Sequence, residues 1–163
     1  MSDHSRQPVS VSATMTAPAD RLFAILALPA NHPRIDGSGM LVEGSELKIS
    51  GVGDVFTMTM HNAEMGDYEI ANHVVGYEVD RLIAWEPVLK AASRLEDQAG
   101  IGVRNGVRWI YELRTLDRRS TLVNETYDCT DAPDWLRQAV KNGARWVDSM
   151  TATLAKLNEF AED

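Results

Sequence analysis

The chain has 163 residues, 44% apolar and 25% charged, the proportions of an ordinary globular protein and not of a disordered or fibrous one. Sixteen basic against twenty-four acidic residues leave a net charge of −8, which disfavours nucleic acid and anionic membrane surfaces as partners because both want a basic face. The lone Cys129 cannot close an internal disulfide, and neither a signal-type apolar segment nor a membrane-length apolar run is visible; we expect one cytoplasmic domain over 1–163, with 1–7 flexible.

Residues Pro8 to Thr16 alternate apolar and hydroxyl side chains, the mark of a half-buried strand. Thr16-Ala17-Pro18-Ala19-Asp20 then carries helix-start signals, with Thr16 as cap candidate, and Leu22, Phe23, Ile25 and Leu26 should form the apolar face of a helix ending before Pro29. A further helical turn over Ala30 to Asp36 would be interrupted by Pro33, and Gly37 and Gly39 close it by accepting positive φ.

Strands follow. Met40 to Ile49 is a weak candidate, Gly51 to Asp54 a turn, and Phe56, Met58 and Met60 alternate with Thr57, Thr59 and His61. Tyr68 to Val79 alternates but changes face around His73-Val74-Val75, which predicts a bulge. Leu82 to Trp85 reads as a short strand ending at Pro87, and Val88 to Asn105 as a long connection that could act as a lid. Val107, Trp109, Tyr111 and Leu113 share one face of the next strand; Val123, Glu125, Tyr127 and Cys129 share one face of the last. Short turns between them predict antiparallel hairpins.

The period then changes. Leu136, Val140, Gly143, Val147, Met150, Leu154, Leu157 and Ala161 recur at spacings of four and three, predicting one amphipathic helix of about seven turns. A sheet with one apolar face must cover it, and this helix is the only large partner available. The expected fold class is therefore α+β: a curved antiparallel sheet of about seven strands wrapped around a long C-terminal helix, with short helices after the first strand and a cavity between sheet and helix.

That order resembles the helix-grip fold of the START and birch-pollen-allergen-like (SRPBCC) superfamily over roughly residues 8 to 161. The strings "HPRIDGSG", "VVGYEVDRLIAW", "GVRWIYEL" and "STLVNETYD" are similar to the actinobacterial branch of polyketide cyclase/dehydrase and lipid-transport proteins. The resemblance implies an internal ligand cavity. It carries no shared catalytic motif, since that superfamily hosts carriers, receptors and enzymes alike.

Candidate site residues therefore come from the chain itself. "NHPRIDGSG", Asn31 to Gly39, offers His32, Asp36 and Ser38, but triad members must converge from separated segments, and no nucleophile elbow surrounds Ser38. A turn, placed by the resemblance at the cavity mouth, is the expected role. Met58, Trp85, Trp109, Tyr111, Tyr127, Val147 and Met150 are expected to wall the cavity, with Trp146 beside the helical stripe. Glu125 places a carboxylate on an inward strand face, where it would be a ligand anchor or a general acid/base, and His73 is a weaker second candidate. Histidines at 4, 32, 61 and 73 show no ligand spacing and no Gly-rich phosphate loop occurs, so no metal and no cofactor is expected. The expected partner is a hydrophobic small molecule. Polyketide aromatase/cyclase or dehydratase chemistry by proton transfer, and a partner-binding module on the same fold, are the alternatives.

Overall fold

The computed structural model describes residues 7–163, so all but Gln7 of the N-terminal segment expected to be flexible lies outside the described residues. Seven strands form one antiparallel sheet: β1 Val9–Met15, β2 Leu41–Gly44, β3 Val55–Asn62, β4 Gly66–Glu78, β5 Leu82–Ala92, β6 Arg108–Asp117 and β7 Ser120–Asp128. Their spatial order is β1-β7-β6-β5-β4-β3-β2. Hairpins of consecutive strands build the run from β2 to β7, and β1 returns to flank β7, with Val11 opposite Glu125. Helices α1 Ala19–Leu26 and α2 His32–Ile35 follow β1; α3 Asp134–Ala139 and α4 Val147–Glu162 end the chain. This is the helix-grip α+β architecture that the alternation and the terminal stripe predict.

Local chemistry explains most element boundaries. The α1 helix buries Leu22, Phe23, Ile25 and Leu26, but Pro18 and not Thr16 occupies its N-cap position. The Thr16 hydroxyl donates instead to Glu162 near the end of α4, tying the two helices together. Pro33 does not interrupt α2, because it sits in the first turn, where its missing N–H costs no hydrogen bond. The bulge expected near His73 is present between Val74 and Gly76. The β5 strand runs past Pro87 to Ala92, longer than expected: it pairs with β6 only over Leu82–Trp85, and proline is tolerated where a strand has lost one neighbour. The connection starting at Val88 is accordingly shorter than the sequence suggests and includes a 3₁₀ turn over Leu95–Gly100.

The terminal helix differs in one consequential way. It is not continuous from Leu136: Lys141, Asn142 and Gly143 all take positive φ, and a 3₁₀ segment over Lys141–Trp146 separates α3 from α4. At Gly143, with φ of 95°, a Cβ would come within 2.8 Å of the Val9 side chain and 2.9 Å of the Tyr127 ring, so the kink lets the chain lie directly on the sheet. Gly37 makes a similar close approach to α4, where a Cβ would sit 2.2 Å from the Ser149 carbonyl oxygen. Its φ is not positive, so contact and not backbone conformation is what requires glycine there.

The core divides into two clusters. One gathers Met15, Leu22, Leu26, Ile83, Val123, Leu154 and Leu157 with the aromatic rings of Phe56, Trp85 and Tyr111. The other holds Val107, Tyr127, Cys129 and Met150, with Trp109 and Trp146 against it. Replacing Gly143 by alanine combines backbone strain with overlap, and should cost about 1–3 kcal/mol in urea denaturation. Gly53→Ala, at φ of 98° with open space around it, carries the strain alone and should cost less.

Candidate functional site

A cavity of about 450 Å³ lies between the concave sheet face and α4. Its wall is built by strand alternation. β3 contributes Met58 and Met60; β4 contributes Tyr68, Ile70 and Asn72; β5 contributes Trp85, Pro87 and Leu89; β6 and β7 contribute Trp109, Tyr111, Glu125 and Tyr127. The helix side supplies Trp146, Ser149, Met150 and Thr153, spaced as successive turns of one face. Five of the seven methionines, Met40, Met58, Met60, Met65 and Met150, line the cavity. Flexible thioethers of this kind adapt to the shape of what they contact.

Of the residues expected from sequence, Met58, Trp85, Trp109, Tyr111, Glu125, Tyr127 and Met150 line the cavity. Val147 does not: it is half-buried outside the lining, and Trp146 takes the cavity-facing place. The break at 140–143 resets the helical phase that a single straight helix would have kept. His73 alternates with the buried Asn72 and Val74 on β4 and is also absent from the lining. Asn72 was missed. Its signal was a polar residue in step with Tyr68, Ile70 and Val74, on the buried face of its strand.

Two aromatic groups stand along the wall. Trp85 stacks on His32 with ring centroids 5.5 Å apart, meets Phe56 edge-on at 5.3 Å and neighbours Tyr111 at 5.7 Å. Trp109 and Tyr127 approach to 4.6 Å, and each lies 6.3 Å from Trp146. Such rings suit flat apolar surfaces.

The segment Asn31 to Gly39 is helix α2 and the turn that follows it at the cavity, and not a triad. The His32 ring donates from Nε2 to the Leu26 carbonyl at 2.7 Å. Asp36 accepts from the Ser38 hydroxyl and amide and from the Leu41 amide, which closes the turn on itself. Thr153 and Lys156 of α4 hold the same turn through the Gly37 amide and the Asp36 carbonyl. His32, Asp36 and Ser38 all line the cavity, yet the imidazole is committed to Leu26 and the hydroxyl to Asp36.

Glu125 is the chemical centre of the wall. It is 3% exposed, and Oε2 accepts a 2.9 Å hydrogen bond from the Tyr111 hydroxyl, while Oε1 has no partner. Burial raises its pKa to about 8 against the opposing pull of the Tyr111 hydrogen bond, with the Asp36 charge adding to the rise. At neutral pH it is therefore mostly an uncharged acid. Burial and the Glu125 charge together push the Tyr111 hydroxyl well above its ordinary value. Tyr127 rises to about 12, chiefly through burial and then through Cys129, and the nearby Trp146 indole offsets part of this without reaching hydrogen-bond geometry. His32 moves the other way: burial lowers it to about 4 despite the hydrogen bond to Leu26 and the Asp36 charge, so its ring is neutral. Among the described residues no group of three or more His, Cys, Asp or Glu is placed to hold a metal, and no helix is long and apolar enough to cross a membrane.

Comparison with known proteins bears on the fold more than on the chemistry. No protein-family model matches the sequence. An uncharacterised protein of Mycobacterium tuberculosis strain H37Rv is 31% identical over 164 residues, covering 93% of this chain and 62% of that protein. The chain thus spans rather less than two thirds of the length of that relative. A solved protein of Nitrosomonas europaea superposes with a TM-score of 0.71 at 10% identity, over 98% of this chain and 96% of its own. A Thalictrum norcoclaurine synthase point mutant, in complex with a transition-state analogue, superposes with a TM-score of 0.62 at 12% identity, over 96% of this chain and 94% of its own. At these identities the likeness establishes the helix-grip fold alone.

The two shifted acids predict opposite pH dependences. The folded protein holds the Glu125 proton more tightly than the unfolded chain, so that contribution is complete below pH 4.5 and is lost as pH rises towards about 8. His32 is held unprotonated, so its contribution is complete above pH 6.5 and is lost as pH falls towards about 4. Between pH 6.5 and 8 only Glu125 acts, and stability should fall on the order of 1–2 kcal/mol. Chemical denaturation at several pH values should show that slope in the wild type and lose it in Glu125→Gln.

Proposed function

We propose that this protein binds, and in that sense can carry, a hydrophobic or amphipathic small molecule such as a lipid or polyketide-like compound in its internal cavity. The observation that carries this reading is the cavity: about 450 Å³, walled by aromatic rings and methionines, with a few polar groups at fixed places. Ligand sites of small molecules have this composition and size. The unpartnered polar atoms support it too. Asn72 Nδ2, Glu125 Oε1 and Trp146 Nε1 are buried without a hydrogen-bond partner, and all three residues line the cavity. Leaving such atoms unpaired costs roughly 1–3 kcal/mol each, a burden that a ligand could relieve. The helix-grip likeness is compatible with this role and does not choose the ligand.

An enzymatic reading, as an aromatase/cyclase or dehydratase working by proton transfer, draws on the Glu125–Tyr111 pair. The candidate second groups are committed elsewhere, Asp36 among them, since its carboxyl oxygens accept from Ser38 and Leu41 in the turn. Tyr111 donates its proton to Glu125 and resists ionisation, His32 is neutral and tied to Leu26, and His73 is outside the cavity. Binding is the better account.

Native mass spectrometry of protein purified from its own host should detect a non-covalent apolar adduct, absent from a cavity-filling Met60→Trp variant. Protein that carries no adduct and takes up none from a total apolar extract of the host would refute the proposal. With the ligand in hand, Glu125→Gln should weaken binding by on the order of 1 kcal/mol, the worth of one hydrogen bond. A loss of turnover of roughly 10²–10⁴ with intact affinity would show the enzymatic reading to be the right one.

A further inference from the structure

The charge of the cavity wall narrows the ligand class further. No lysine or arginine lines the cavity among the described residues. The only histidine in the lining, His32, spends its Nε2 proton on the Leu26 carbonyl. What the wall does carry is two carboxyl side chains, Asp36 and Glu125. The neighbouring cations are committed elsewhere and do not line the cavity. Lys156 donates to the Asp36 carbonyl, Arg145 lies over the Trp146 ring at 5.5 Å, Arg104 pairs with Glu86, and Arg137 pairs with Asp134.

Resting on the reading that this cavity holds a ligand, we propose that it selects uncharged ligands and rejects anions such as free carboxylates, sulfonates and phosphates. An anion entering would give up its hydration within an apolar wall and meet no counter-charge there. An uncharged molecule carrying oxygen acceptors meets no such penalty. It also has something to gain, because Asn72 Nδ2 and Trp146 Nε1 are donors with no acceptor in the protein. Each belongs to a different side of the cavity, Asn72 to β4 and Trp146 to the start of α4. The favoured occupant is thus an uncharged apolar body with acceptor oxygens or other neutral polar groups towards its ends, and not a free fatty acid or a phosphorylated lipid buried by its head.

A pair of dyes that share one skeleton isolates the charge. N-phenyl-1-naphthylamine is uncharged, and 8-anilinonaphthalene-1-sulfonate adds a permanently ionised sulfonate to the same rings; both brighten on leaving water. Fluorescence titration of the full chain should give an affinity for the uncharged dye roughly tenfold or more above that for the sulfonate. A cation introduced into the lining by Met65→Lys should narrow that ratio several-fold through tighter binding of the sulfonate, and Met40→Lys repeats the test if the first variant does not fold. Comparable affinity of the wild type for both dyes, each displacing the other, would overturn the charge selection and leave the binding reading intact. A ratio unchanged by the added lysine would equally overturn it. If neither dye binds, the binding reading itself fails and this inference falls with it.

Discussion

The concave face of a seven-stranded sheet presents more apolar surface than one helix of sixteen residues can cover, and the rest of the molecule follows from that mismatch. Near the first strand the mismatch is resolved by packing, where α1 and the distal half of α4, through Leu154 and Leu157, close over Met15 and Val123. Along β3 to β6 it is not resolved, because the described residues form no second long helix. Large side chains there, many of them aromatic, hold the sheet and α4 apart around the cavity. Interiors normally pack to crystal density, so an opening of this size, walled by aromatic rings and thioethers, reflects the architecture and not loose packing.

Within that volume the Glu125–Tyr111 pair sets the electrostatics. A carboxyl group buried beside apolar rings would be costly if ionised, and the protein avoids the cost by holding it as the acid at neutral pH. His32 solves the mirror-image problem by staying neutral against Trp85 and giving its one proton to a backbone carbonyl. Both groups are thus held neutral at neutral pH, and the Asp36 side chain is taken up by the hydrogen bonds of the turn around Ser38. With no lysine or arginine in the lining among the described residues to answer a negative charge, this favours the proposed uncharged occupant.

Much of this was legible in the sequence because strand alternation is a local signal. Val107 to Leu113 and Val123 to Cys129 each named their inward faces correctly, and Glu125 was found by that rule alone. What escaped depended on distant partners. The β5 strand crosses Pro87 only because β6 has stopped pairing by then, which no window around Pro87 can show. The helix break at Lys141 to Gly143 follows from the approach of Val9 and Tyr127, residues far away in sequence, and it moved Val147 off the wall and Trp146 onto it. His73 is chemically more conspicuous in the sequence than Asn72, yet the bulge between Val74 and Gly76 lies beyond both and leaves Asn72 in phase with Tyr68.

Whether this cavity, and not some other surface, receives an apolar molecule can be read directly from the tryptophans. Trp85, Trp109 and Trp146 line the cavity, while Trp135 on α3 is 65% exposed and lies outside it. Their four indole N–H groups can each be followed by ¹⁵N-resolved NMR as an uncharged apolar probe is titrated in. The three lining indoles should shift together with one saturating dependence while Trp135 stays still. Movement confined to Trp135, or no movement of the lining three at saturating probe, would contradict binding in the cavity.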